Sequence, residues 1–295
     1  MRVAEALAST LVELGVRQIF GVVGSGNYEV TEALQRASAT FTPARHEGGA
    51  VTMTDAYGRT TGEIAACSVH QWPGLTNAVT GLAEAAKSRT PLLVLAAESG
   101  GPRSNFRIDQ AALATSVGAI AERARSPETA VADAVRAYQR AQLERRPVVL
   151  NLPLEVLGAE TEPPAIPARP ELRPAVPAPE AITAAVDLLR RARRPLILAG
   201  RGAVLGGAGP ALEELGDRIG AVLTTSAVAN GLFSESPWSI GIAGGFASTL
   251  ASELIAESDV VLAVGASLNM WTTRHGRLLG PDVRVIEVDI DPGEI

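Results

Sequence analysis

Residues 64–97 read IAACSVHQWPGLTNAVTGLAEAAKSRTPLLVLAA, and this stretch decides the fold. Ile64 to Val69 and Leu92 to Ala97 are continuous apolar runs, as expected of strands buried on both faces of a parallel sheet. Thr76 to Lys87 reads as the helix between them. Pro73 and Gly74 force a sharp turn after the first run, and Thr76 or Asn77 can cap the helix that follows. The unit is therefore strand, tight loop, helix, strand.

The same alternation extends in both directions. Residues 3–14 place Val3, Leu7, Leu11 and Leu14 on one helical face, and Gly15 stops that helix. Gln18 to Val23 reads as a strand, Glu29 to Ala37 and Val51 to Arg59 as helices, Thr129 to Leu143 as a further helix and Pro147 to Leu152 as a buried strand. Seven of the 19 prolines then fall between Pro163 and Pro179, a composition that continues neither helix nor sheet and reads as an extended linker. Beyond it the alternation restarts. Helices are predicted at Ala181 to Ala192, Ala211 to Ile219 and Phe246 to Ala256. Strands are predicted at Leu196 to Ala199, Val222 to Thr225, Val260 to Val264 and Val283 to Val288. The expected fold class is α/β, with two doubly wound, mainly parallel-sheet domains over 1–160 and 180–295, joined by a linker over 161–179.

The 295 residues are 46% hydrophobic and 20% charged, enough for two buried cores. The net charge of −6 comes with no basic stripe, which argues against nucleic acid as a partner. An 18-residue apolar stretch is absent, which argues against a membrane span, and the N-terminus lacks a signal-peptide pattern. These features predict a cytoplasmic protein. The single cysteine, Cys67, allows no disulfide framework and reads as an inert core thiol. The three histidines, His46, His70 and His275, lack metal-ligand spacing, so no metal ligand is assigned.

Three polar groups stand at successive strand ends: Ser25, Glu47 and His70. Ligands of open α/β sheets bind at the carboxyl edge. Glu47, in Arg45-His46-Glu47-Gly48-Gly49-Ala50, is placed just before a helix start. A carboxyl group among small residues can be kept poorly solvated and exchange a proton with a bound heterocycle; the competing reading is a helix-terminal acid with no further role. Two loops approach the dinucleotide fingerprint and miss it. From Gly24 the third glycine position is occupied by Glu29, and in Gly200-Arg201-Gly202-Ala203-Val204-Leu205-Gly206 it is occupied by Leu205. Both read as tight turns.

Taken in order, the motifs resemble the thiamine-diphosphate-dependent enzymes of the acetolactate synthase, pyruvate oxidase and benzoylformate decarboxylase group. The matching stretches are Phe20-Gly21-Val22-Val23-Gly24, Arg45-His46-Glu47-Gly48-Gly49-Ala50, Asp55-Ala56-Tyr57-Gly58-Arg59 and Pro73-Gly74-Leu75-Thr76-Asn77. Further on they are Ala85-Ala86-Lys87-Ser88-Arg89-Thr90-Pro91, Val264-Gly265-Ala266 and Glu287-Val288-Asp289-Ile290-Asp291. The resemblance implies a pyrimidine-binding first domain and a nucleotide-fold central domain. It assigns Glu47 to the glutamate that hydrogen-bonds the pyrimidine N1′. It places Val23, Gly24, Pro73, Gly74 and Asn77 against the cofactor, and puts Ser25 and His70 where the benzoylformate decarboxylase branch has its active-site serine and histidine. The family holds Mg²⁺ and the diphosphate through a Gly-Asp-Gly motif, which this sequence lacks.

The resemblance therefore implies thiamine diphosphate as cofactor. It also implies a partner carrying the diphosphate-binding domain, in a heteromer such as α2β2, and a small 2-oxo acid substrate for decarboxylation or carboligation. FAD in the central domain is a further possibility of the family, and Gly265-Ala266-Ser267 lacks the arginine seen in many FAD-binding members. Other departures are Trp72 where many members have glycine, Val23 in place of proline, and Phe106-Arg107 in place of a phenylalanine-glutamine pair, with Gln110 further on. Two alternatives compete with this reading: a non-catalytic regulatory or nucleotide-binding protein that retains the fold, and a two-domain oxidoreductase, against which the failed fingerprints argue.

Overall fold

The computed structural model describes residues 1–99, 101, 103–162 and 175–290. The chain divides into two compact units, Met1–Leu172 and Arg173–Ile295. Most of the proline-rich linker, residues 163–174, lies outside the described residues, as do 291–295.

In the first unit the elements run α1 (Val3–Glu13), β1 (Gln18–Gly21), α2 (Tyr28–Arg36), β2 (Thr40–Pro43), α3 (Glu47–Thr61), β3 (Ala66–Val69) and α4 (Pro73–Lys87). They continue with β4 (Leu92–Glu98), α5 (Gln110–Ser116), β5 (Ile120–Arg123), α6 (Ala130–Glu144), β6 (Pro147–Pro153) and α7 (Leu154–Leu157). All six strands are parallel, in the order β2-β1-β3-β4-β6-β5. Alternate residues of the central strands feed two cores. Ile19, Ala66, Leu93, Leu95, Val148 and Leu150 pack with α1, α2 and α6 on one face. Phe20, Cys67, Val69, Val94, Ala96 and Val149 pack with α3, α4 and α5 on the other. A strand covered on both faces has no solvent side, which is why these runs lack polar alternation.

The order reverses direction at β1, which has β2 on one side and β3 on the other. The carboxyl ends of β1 and β3 therefore flank a topological switch point, the place where open α/β sheets hold ligands.

The second unit comprises α8 (Pro179–Arg191), β7 (Pro195–Ala199), α9 (Arg201–Leu205), α10 (Gly209–Ile219), β8 (Val222–Thr225), β9 (Ser239–Ile242), α11 (Thr249–Ala256), β10 (Val260–Val264) and β11 (Arg284–Val288). Its five parallel strands run β11-β10-β7-β8-β9, with a switch point between β7 and β10. Here too the sheet is covered on both faces, by a cluster around Ile197, Leu212, Phe233 and Leu262 and another around Leu198, Ile255, Val261 and Leu278.

Several boundaries differ from the sequence expectation. The strand begun at Gln18 ends at Gly21 rather than Val23, because the Asn27 side chain binds the backbone of Val22 and Gly24 and draws it into a loop. The helix expected over Val51 to Arg59 begins at Glu47, so Glu47 is its first residue rather than a residue preceding it. His46 caps that helix, its Nδ1 accepting from the Gly48 N–H at 3.1 Å. Neither Thr76 nor Asn77 caps α4. That helix starts at Pro73, whose fixed φ suits a first position, and both residues lie inside its first turns. The helix expected from Phe246 starts at Thr249, where the Ser248 hydroxyl accepts from the Ala251 N–H; Phe246 sits in a short 3₁₀ turn.

Candidate active site at the first switch point

The loop after β1 is tied to the loop after β3 by side chains. Asn27 is fully buried. Its Nδ2 donates to Val22 O at 3.1 Å and to Ser68 Oγ at 3.0 Å, while its Oδ1 accepts from Gly24 N–H at 2.8 Å. Thr31 Oγ1 lies 2.7 Å from the same Ser68 hydroxyl. The Gly26 N–H donates to His70 Nδ1 at 3.2 Å. With Nδ1 engaged as acceptor, the neutral His70 ring carries its proton on Nε2.

Two glycines of this loop sit tightly against the residues after β3. A Cβ on Gly24 would stand 3.1 Å from His70 Cγ, and one on Gly26 only 1.7 Å from Gln71 Oε1 and 2.7 Å from His70 Nδ1. Gln71 is buried, and its Oε1 has no hydrogen-bond partner among the described residues. Ser25 lies in the exposed tip of the loop, next to the Gly26 that contacts His70. Val23 is exposed beside it.

Glu47 comes from the neighbouring strand end. It opens α3, where the helix N-terminus favours a negative charge. It is half-buried, and its Oε2 accepts from Asn77 Nδ2, in the second turn of α4, at 3.0 Å. The two helices meet through small residues. A Cβ on Gly48 would stand 3.1 Å from Asn77 O, and one on Gly81 would stand 3.0 Å from Val51 Cβ and 3.1 Å from Gly48 O. Bulkier residues there would separate Glu47 from Asn77. Beneath them lies Cys67, fully buried on β3. Burial pushes its thiol up to about 12, and the Glu47 carboxylate acts in the same direction.

The wall on the β3 side is aromatic. Trp72 is partly exposed and adopts φ 39°, ψ −82°, a strained conformation for a non-glycine residue. Its N–H donates to Gln110 Oε1 at 3.0 Å, and the Gln110 amide nitrogen donates to Ala97 O and Asn151 Oδ1 at 3.2 and 2.8 Å. The Phe106 ring lies 5.5 Å from that of His70 and 6.2 Å from that of Trp72. Pro73 and Gly74 follow directly, with a Gly74 Cβ 3.2 Å from His70 Cβ.

The strand ends thus gather the loop carrying Ser25, the Glu47 carboxylate and the His70 imidazole on three adjacent strands, β1, β2 and β3. Asn27, Gln71 and Gln110 were not singled out as site residues. The roles of Asn27 and Gln110 depend on hydrogen-bond partners 13 to 41 positions away, a distance at which spacing along the chain carries no signal, and Gln71 is marked only by its burial against Gly26. Among the described residues no group of three or more His, Cys, Asp or Glu side chains could hold a metal, and no helix is long and apolar enough to cross a membrane.

Residues 1–116 match the family description "Thiamine pyrophosphate enzyme, N-terminal TPP binding domain", and residues 182–295 match "Thiamine pyrophosphate enzyme, central domain". Similar proteins include a probable 2-ketoarginine decarboxylase of Pseudomonas aeruginosa, 35% identical over 98% of this chain and 52% of its own length. A sulfoacetaldehyde acetyltransferase of Roseovarius nubinhibens is 30% identical over 100% of this chain and 50% of its own length. An acetolactate synthase of Arthrospira platensis is 31% identical over 99% and 54%. The chain spans about half the length of these relatives. With both of its folded units matched in order, the chain belongs to the thiamine pyrophosphate enzyme family, of which it carries the N-terminal cofactor-binding domain and the central domain.

Proposed function

We propose that this chain is the pyrimidine-binding part of a thiamine-diphosphate-dependent 2-oxo acid decarboxylase or carboligase. It acts in the cytoplasm with a diphosphate-binding domain supplied by a partner subunit or by a longer parent sequence. The observation that carries this reading is Glu47: a half-buried carboxylate at a helix start, beside the switch point, with one oxygen held by Asn77. The residues fit the pyrimidine end of the cofactor. Asn77 occupies only Oε2, and a Cβ on Gly49 would meet nothing within 4 Å, so the surface beside the carboxylate is open.

The cofactor, when bound, supplies the electron sink that lets a bond next to a 2-oxo carbonyl break or form. Glu47 would exchange a proton with the pyrimidine N1′, and Asn77 would keep the carboxylate oriented for it. Val23, Gly24, Pro73 and Gly74 would form the wall against the cofactor. His70, with Nδ1 fixed as acceptor, presents an Nε2–H that can move a proton to or from substrate. Ser25, at the loop tip, would orient the substrate carboxylate. Mg²⁺ and the diphosphate fall to the partner domain.

The test is CO₂ release from pyruvate and benzoylformate by the chain assembled with its diphosphate-binding domain. Release should require thiamine diphosphate and Mg²⁺ and be lost with Glu47→Gln. Full activity in that variant would sink the reading.

A further inference from the structure

A cavity of about 720 Å³ opens at the carboxyl ends of β4, β5 and β6 in the first domain. Four arginines line it, and three are spent on acids. Arg123 pairs with Glu98 at 2.6 Å, Arg125 with Asp133 at 2.6 Å, and Arg136 with Glu122 at 2.7 Å and Asp133 at 2.8 Å. The fourth, Arg107, is exposed and makes no ion pair or side-chain hydrogen bond among the described residues. Asp109, two positions on, is turned to its own helix, where it accepts from the Ala112 N–H.

Arg107 also stands next to the candidate active site. Its neighbour Phe106 packs on the rings of His70 and Trp72. Gln110 lines the cavity and holds the Trp72 backbone, so one side chain belongs to both walls. A cavity bordering the site, with a single uncommitted guanidinium, fits the far end of a substrate whose reacting carbonyl lies by His70. Arginine's planar fork matches a carboxylate or sulfonate in two-point contact.

We propose that Arg107 is a specificity-determining residue that selects substrates bearing a second anionic group, a carboxylate or sulfonate, distal to the reacting carbonyl. This deepens the functional reading above and rests on it.

The experiment compares 2-oxoglutarate with 2-oxopentanoate, which has the same chain length and lacks the distal carboxylate. Binding to the chain itself is read from tryptophan fluorescence, with Trp72→Phe identifying the responding indole. Turnover is read in the assembled enzyme. Native protein should favour 2-oxoglutarate by about tenfold or more in both Kd and kcat/KM, the effect of one charge-assisted contact. Arg107→Gln should collapse that preference toward one, and Arg107→Lys should restore part of it. Arg107 is exposed and pairs with none of the described residues, so neither change threatens folding. A preference that is absent from the native protein, or unmoved by Arg107→Gln, overturns the proposal, whatever the level of turnover. Selective binding lost in Arg107→Gln, in a protein with no cofactor-dependent turnover, would uphold the anion site while the functional reading falls.

Discussion

In the first domain the strand order turns between β1 and β3, in the second between β7 and β10, and the two crevices are filled differently. In the first, the loops meet through side chains: Gly24 and Gly26 rest on His70 and Gln71. In the second they meet backbone to backbone. A Cβ on Gly202 would stand 2.6 Å from Gly265 Cα, and one on Gly200 2.1 Å from Gly265 O; the Gly202 N–H donates to that carbonyl at 3.0 Å. Topology supplies the same address in both domains. What differs is the kind of contact that joins the loops. The first crevice keeps an imidazole and has a carboxylate beside it, whereas the second closes on the main chain of Gly200, Gly202, Ala203, Gly265 and Ala266.

If chemistry resides in the first crevice, Glu47→Gln should produce the largest effect, a loss of about 10³-fold in cofactor-dependent kcat/KM of the assembled enzyme, within the usual span for a general acid–base group. Thermal unfolding of the chain should be little changed, since the isosteric amide keeps its half-buried place.

The backbone contact of the second crevice is broken by Gly202→Ala. The added methyl group meets backbone that cannot rotate away, so the central domain should lose about 3 kcal/mol, the upper part of the overpacking range. Denaturant titration should show the second domain melting earlier. An unchanged midpoint would mean the two loops are not packed as described.

A third effect belongs to the first domain and is read with pH. Burial alone would raise the Asp133 carboxyl, but hydrogen bonds from Arg125, Arg136 and Thr129 overcome this and hold it down at about 2, from an ordinary 3.8. A depressed carboxyl stabilises the folded state above its unfolded value, and that stability is lost as pH falls. The first domain should therefore lose about 2 kcal/mol between pH ~4 and pH ~2. Asp133→Asn should remove that component of the pH dependence, as followed by urea midpoints.

The smallest effect separates the two crevices most directly. Gly24→Ala presses on a side chain, His70, which can tilt. It should cost about 1 kcal/mol, below Gly202→Ala, because the neighbour can give way. Its clearer sign is a shift of the His70 ring resonances in NMR.

The strands buried on both faces were legible because burial removes polar residues: β3, β4, β6, β7 and β10 are each an unbroken or nearly unbroken apolar run. Three edge strands were not. Thr40–Pro43, Ile120–Arg123 and Ser239–Ile242 are four residues each and partly exposed, with Thr, Glu, Arg, Ser or Gly among them. Short, polar edges are how sheets avoid pairing with strangers, and the same features erase the apolar signal. His70 could be marked because it ends an apolar run, and Glu47 because it stands at a helix start among small residues. The Asn77 contact to Glu47 could not, since it requires α3 and α4 to approach through Gly48 and Gly81.

The sole cysteine of the sequence sits at the centre of the first sheet, with no exposed surface and its thiol raised to about 12. A thiol so placed reacts only when the strands around it open, since the reactive species is the thiolate. The protein thus carries its own stopwatch for one domain. The rate at which a thiol reagent labels Cys67 should follow the opening equilibrium of the first domain and ignore the second. Occupation of the crevice above β3 should slow that rate by a factor of one plus the ratio of free ligand concentration to Kd, whether or not any substrate is turned over.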